Sequence, residues 1–324
     1  MGGKWSYSVN LDDMIGKIIC GDARELIKTM PDSSIDCLVT SPPYWGLRDY
    51  GVENQLGLEK TFEEYIDNLN GIFAEVKRVL KPTGTCWVNL GDSYSGSANA
   101  GGEDSRTCNG RPNARDKNLQ TKRGVPAKSQ CCIPERFAIA MVDRLGWIKR
   151  NTIIWYKRNA MPASVKDRFT VDFESVFFFV KSGKYYFEQQ KEPYTAPMNR
   201  WGGDKLKANG ESTWDGGTGQ DTYRDRNMRP DPEGRNKRCV WDINTQPFPE
   251  AHFAVFPPAL VEPMIKAGCP ESGIVLDPFM GSGTTAMVAK QLNRNFIGFE
   301  ANSEYCAIGE KRLRNTLYNE ELAL

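Results

Sequence analysis

The run Ile35-Asp36-Cys37-Leu38-Val39 stops against Thr40-Ser41-Pro42-Pro43-Tyr44-Trp45, and this junction constrains the fold more than any other stretch of the chain. Two consecutive prolines remove two backbone donors and fix two φ angles, so a central strand cannot run through them. The apolar run is therefore read as a buried strand that ends here, leaving carbonyls beside Ser41 and Pro42 free to face a cleft. Rigid acceptors followed by the Tyr44 ring suit a flat heterocycle with an amino group, bonded at its edge and stacked on its plane. The same residues also suit a plain turn that ends a strand.

Strands and helices alternate around that junction. Ile15 to Cys20, ending at Gly21-Asp22, reads as a strand, and Ala23 to Met30 as a helix closed by Pro31. Phe62, Tyr65, Ile66, Leu69, Ile72, Phe73, Val76, Val79 and Leu80 recur with a helical period that Lys81-Pro82 stops, and Gly84 to Leu90 is the next strand. Pro134 to Leu145 reads as a helix, Trp147 to Tyr156 and Val176 to Val180 as strands, and Tyr185 to Phe187 as the return of a hairpin. The pattern predicts an α/β fold, a doubly wound and mostly parallel sheet closed by an antiparallel edge hairpin.

A second anchor lies near the C-terminus, where Gly273-Ile274-Val275-Leu276-Asp277-Pro278-Phe279-Met280-Gly281-Ser282-Gly283-Thr284-Thr285 leads from a strand through a glycine turn into a helix, Ala286 to Leu292. Bare backbone at such a turn lets a ligand approach closely, and the helix N-terminus favours negative charge. No lysine follows Gly283, and the spacing matches neither a phosphate-binding loop nor the dinucleotide fingerprint, so a carboxylate ligand is left. Asn295 to Phe299 is the following strand and ends at Glu300, placed to accept both hydroxyls of a ribose. Adenosine together with a carboxylate points to S-adenosylmethionine.

Between these anchors the periodicity fails twice. Ser93 to Gln130 is a long irregular loop whose Arg111, Arg115, Lys122 and Arg123 suit phosphate contact, as they also suit a solvated excursion. Residues 188–250 mix Arg200, Arg224, Arg226 and Arg229 with Trp201, Trp214 and Tyr223, a blend of cations and rings that fits phosphates and bases. The chain is thus divided into a main domain, 1–187 with 251–324, carrying the basic loop 93–130, and an inserted recognition region, 188–250. A net charge of +1 does not exclude nucleic acid, because a basic face can coexist with an acidic back. Nine cysteines without a C-x-x-C pair and a single histidine, His252, leave zinc-finger and histidine-based metal chemistry without ligands, and no metal is expected. Scattered thiols fit a reducing cytoplasm, and no apolar run suggests a membrane span.

Taken together, the two anchors resemble those of the β-type amino-methyltransferases of DNA, which carry the catalytic motif first, the recognition insert next and the cofactor loop last. Ser41-Pro42-Pro43-Tyr44 resembles the catalytic motif and Asp277 to Thr285 the cofactor loop. The resemblance implies a Rossmann-like methyltransferase fold, circularly rearranged so that the C-terminal unit supplies the first strands and the N-terminal units the later ones. It implies cofactor roles for Asp22 near the adenine amino group, for Phe256 and Pro257, and for Asp277, Pro278, Phe279, Gly281, Ser282, Gly283, Thr284, Thr285 and Glu300. It further implies base flipping in double-stranded DNA, with the target amine donating to Ser41 and to the Pro42 carbonyl, and direct methyl transfer; Cys37 is packing. Serine at position 41 favours cytosine N4, with adenine N6 as the alternative. A cognate restriction endonuclease and a homodimer are the further partners expected. A non-catalytic sequence-specific DNA-binding protein would use the inserts and leave Glu300 and the glycine turn unexplained.

Overall fold

The computed structural model describes residues 10–95, 124–126, 128–194, 233–246 and 257–321. In chain order its elements are β1 (Lys17–Cys20), α1 (Ala23–Leu26), β2 (Ile35–Thr40), α2 (Phe62–Val79), β3 (Leu80–Leu90), α3 (Ile133–Asp143), β4 (Ile148–Tyr156), β5 (Phe173–Val180), β6 (Lys191–Glu192), β7 (Arg235–Asn236), β8 (Val240–Asp242), α4 (Pro258–Gly268), β9 (Ile274–Asp277), α5 (Thr284–Gln291), β10 (Asn295–Glu300) and α6 (Ser303–Glu321). Two compact units result, residues 1–188 with 239–324, and Gln189–Arg238.

In the first unit eight strands form one sheet in the order β1-β10-β9-β2-β3-β5-β4-β8. Pairing is parallel from β1 to β3, and β5 runs antiparallel to both of its neighbours. This is the expected doubly wound sheet. Its central strands are buried on both faces, and alternate side chains enter two separate cores. Leu38, Val88, Phe177 and Phe179 pack with α2 and α3. Cys37, Val39, Trp87 and Phe178 pack with α4 and α5. The α2 helix starts at Thr61, whose hydroxyl accepts from the Glu64 amide at 3.2 Å, and Lys77 and Arg78 lie in its last turn, where cations favour the helix dipole.

Two local expectations are revised. First, α2 stops at Val79 and β3 begins at Leu80, before the proline. Pairing steps from Ile35↔Leu80 to Cys37↔Thr85, so Pro82 lies in an irregularity of the ladder that asks no donor of it. Second, Tyr185 to Phe187 form no strand; the hairpin is β4 with β5. The alternation arises because the Tyr185 and Phe187 rings both cover Phe178, each centroid 5.8 Å away. The circular rearrangement holds: β9 and β10 take the first two places of a doubly wound sheet, and β1, β2 and β3 the next three, with β1 outside β10 in register Cys20↔Glu300.

The second unit contains the short antiparallel pair of β6 with β7. There the Glu192 carboxylate accepts from Arg235 Nε at 2.9 Å and Arg238 Nε at 2.6 Å. Among the described residues no helix is long and apolar enough to cross a membrane.

Phe137, fully buried on α3, meets Phe73 of α2 and both Phe177 and Phe179 of the sheet. Phe137→Ala is expected to lower the unfolding free energy by about 3–5 kcal/mol, measured by urea denaturation.

Candidate active site

Because β2 and β9 are parallel neighbours, the two sequence anchors emerge side by side at the same end of the sheet. Their junction is a buried hydrogen bond from Thr40 Oγ1 to Asp277 Oδ1 at 2.6 Å. Asp277 also accepts from Thr285 Oγ1 at 2.7 Å and from the Phe279 amide at 3.0 Å, which folds the following turn back over its own strand. Burial pushes the Asp277 carboxyl up to about 6 despite these three donors.

The glycine turn depends on its missing side chains. Gly281 and Gly283 have φ of 54° and 83°, and a Cβ on Gly283 would lie 3.0 Å from the Gly309 Cα of α6. Arg312 of α6 fastens the turn, its NH1 donating to the Ser282 carbonyl at 2.7 Å and to Thr284 Oγ1 at 3.1 Å. On β10, Glu300 takes one backbone donor on each oxygen, the Gly281 amide on Oε2 and the Asn302 amide on Oε1, both at 2.8 Å. Burial raises its pKa, and those amides moderate the rise. A carboxylate has capacity beyond one donor per oxygen, so Glu300 can still accept hydroxyls from the cavity.

That cavity has a volume of about 380 Å³. Its lining brings together Asp22, Ser41, Pro42, Pro43, Tyr44, Asp277, Pro278, Phe279, Gly281, Ser282, Thr284, Thr285 and Glu300. Gly283 and Pro257 are described but do not line it. Phe256, Arg111, Arg115, Lys122, Arg123, Arg200, Arg224, Arg226 and Arg229 lie outside the described residues. Asp22 caps α1, and although burial pushes its carboxyl up, the hydrogen bonds from Arg24 hold it below the usual range.

Several cavity residues carried no recognisable motif. Tyr44 donates its hydroxyl to Glu174 Oε2 at 2.6 Å, while Lys157 Nζ meets Glu174 Oε1 at 2.6 Å and Asn89 Nδ2 reaches Glu174 Oε2 at 3.1 Å. Burial, reinforced by the Glu174 charge, raises the Tyr44 pKa well above its ordinary value, so the ring is neutral. Tyr44 sits against Gly91, where a Cβ would come within 2.5 Å of its ring. The 45–60 connection closes one side of the cavity and is tied at both ends of that side, by Arg24 to the Asn54 carbonyl at 2.8 Å and by Asn302 to the Tyr50 carbonyl at 3.1 Å. The sequence signal was a lone acid, Glu174, in the otherwise uncharged β5 run.

Cys37 is fully buried and its thiol is pushed up to about 12, so it holds its proton. Asp92, Cys132 and Glu135 are close enough to share an ion, yet both Asp92 oxygens accept backbone amides at the start of α3, from Cys132 at 2.9 Å and Ile133 at 3.0 Å. Helix capping accounts for that cluster.

A DNA methylase family profile matches residues 35–311. The chain is 41% identical over 295 residues to the Type II methyltransferase M.XycI of Xanthomonas campestris pv. cyanopsidis, covering 91% of this chain and 86% of that protein. It is 39% identical to the Type II methyltransferase M.SmaI of Serratia marcescens, covering 92% and 90%. The PvuII DNA methyltransferase, cytosine-N4-specific, shares the fold with a TM-score of 0.58 at 22% identity, over 92% of this chain and 90% of that one. The chain therefore belongs to the DNA methylase family and is a DNA methyltransferase of its N4/N6 group.

Below about pH 6 folded Asp277 takes a proton that the unfolded chain takes only near pH 4, so its burial penalty is present above pH 6 and is relieved as pH falls. Thr40→Val removes a donor to the ionised carboxylate. It is expected to cost about 1.5–3 kcal/mol near pH 8 and roughly 0.5–1.5 kcal/mol near pH 5, compared by urea denaturation at both.

Proposed function

We propose that the chain transfers a methyl group from S-adenosylmethionine to the exocyclic N4 of cytosine in duplex DNA. The observation that carries this is the meeting, in one cavity, of the Ser41-Pro42-Pro43-Tyr44 strand end with the Asp277 turn and Glu300. The cofactor fits on chemical grounds: Glu300 offers acceptor capacity for ribose hydroxyls, and the missing side chain of Gly281 leaves space beside the turn for a carboxylate. S-adenosylmethionine supplies the methyl group on its sulfonium.

The base leaves the duplex to reach the cavity, because its amine is paired within the stack. Tyr44, held by Glu174 and packed on Gly91, offers a neutral ring for stacking, and Ser41 with the Pro42 carbonyl accepts the two amine hydrogens. These bonds aim the nitrogen, and orientation with exclusion of water provides most of the catalysis. Asp22, which also lines the cavity, takes the adenine amine, and the 188–250 insert with the 93–130 loop reads and grips the DNA. Serine at position 41 favours cytosine over adenine. As a relative of Type II methyltransferases, the chain acts in the bacterial cytoplasm as the modification partner of a restriction endonuclease.

Labelled S-adenosylmethionine, mixed-sequence duplex DNA and digestion to nucleosides are expected to yield N4-methylcytosine. N6-methyladenine in its place overturns the argument from Ser41. Ser41→Ala and Tyr44→Ala are each expected to lower kcat by about a hundredfold or more, and undiminished methylation in both refutes the pocket. Glu300→Gln is expected to raise the cofactor KM by about tenfold or more. Because the Glu300 pKa is raised, the wild-type cofactor KM rises as pH falls and Glu300 protonates, whereas that of the Gln variant stays flat through the same range.

A further inference from the structure

β4 runs toward the sheet end that carries the cavity, and β5 returns from it. Lys157, immediately after β4, and Glu174, second in β5, both line the cavity and pair at 2.6 Å. The intervening residues 158–172 therefore rise from the cavity wall itself. Their apolar side chains face solvent: Phe169 is 96% exposed and Met161 88%. A ring this exposed contributes nothing to the core and carries a hydration cost, so its use is sought outside the fold. The segment is nonetheless fastened. Lys128 pairs with Asp167 at 2.7 Å, and the Arg168 guanidinium lies 3.8 Å from the centre of the Tyr94 ring, so Phe169 is presented from an anchored base. Lys166 stands exposed on the same segment, which gives it a cation for a phosphate, while Arg158 is paired with Asp242.

We propose that this loop is a wedge for duplex DNA, in which Phe169 enters the base stack beside the target and occupies the space that the extruded base leaves. Extrusion forfeits stacking on both neighbours, and a flat apolar ring restores it without asking for a particular sequence. Lys166 holds a flanking phosphate. The wedge rests on the methylation of a flipped base argued above, and it assigns the work of opening the duplex to residues outside both motifs.

The test uses the full chain and a duplex carrying its site, mapped first by sequencing DNA that the wild-type enzyme has methylated. Single-turnover methylation by Phe169→Ala is expected to fall by about tenfold to a hundredfold on the matched duplex. On the same duplex with the target base mismatched, where extrusion costs less, the variant is expected to approach the wild-type rate, and Phe169→Trp is expected to restore the matched rate. An unchanged rate for Phe169→Ala on the matched duplex overturns the wedge alone, as does an equal loss on matched and mismatched DNA. A wild-type chain that methylates no duplex overturns the flipped-base reading and the wedge with it.

Discussion

The carboxylate of Asp277 joins two parts of the chain 237 residues apart, through its bond to Thr40, and it shapes the turn that follows through Thr285 and the Phe279 amide. Without that junction β2 and β9 would still be neighbours, but nothing would fix the height at which each strand gives way to its loop. The cost is visible in the raised pKa of a carboxyl with no solvent. A neutral apolar contact at this point would be easier to bury. It would not orient two loops at once, because only a group with several acceptor directions can hold a hydroxyl from each side and a backbone amide.

The same logic governs the opposite wall. Glu174 would be costly so close to the core were it not met by Lys157, Tyr44 and Asn89. Each of those partners comes from a different strand end, so satisfying the charge also fixes the relative positions of β3, β4 and β5. Tyr44 is then held by its hydroxyl at one end and by the bare backbone of Gly91 along its face. Ordering the ring in advance avoids an entropic cost that a ligand would otherwise bear on arrival.

Much of this was legible in the sequence, and the remainder was hidden for physical reasons. Buried strands announce themselves by apolar runs, and prolines and glycines mark where the backbone must turn, so both anchors and the sheet could be read directly. The pairing of β1 with β10 came with the circular rearrangement that the two motifs imply, and not from any local pattern, because edge position depends on long-range register. Tyr185 and Phe187 alternate like a strand because stacking rings on one side of Phe178 imposes the same period as a ladder. Asn89, Lys157 and Glu174 escaped because a single polar residue at a strand end is indistinguishable from a solvated one until its three partners converge on it. Arg312 was equally invisible, since its contact with the Ser282 turn joins residues of different elements.

Four acids lie near strand ends on the cavity side, two of them met by a cation and two by neutral donors. Asp22 is held low by Arg24, Glu174 is paired with Lys157, Glu300 is held by two amides, and Asp277 by two hydroxyls and one amide. Asp22, beside Arg24, keeps its charge to lower pH, whereas Glu300 and Asp277, held by neutral donors, are raised, which is the order expected when hydrogen bonds from neutral donors oppose burial without cancelling it. An opposing cation at Glu300 would occupy the acceptor directions that face the cavity. Leaving that acid to neutral backbone donors preserves them, and the raised pKa is the consequence of its burial without a cation.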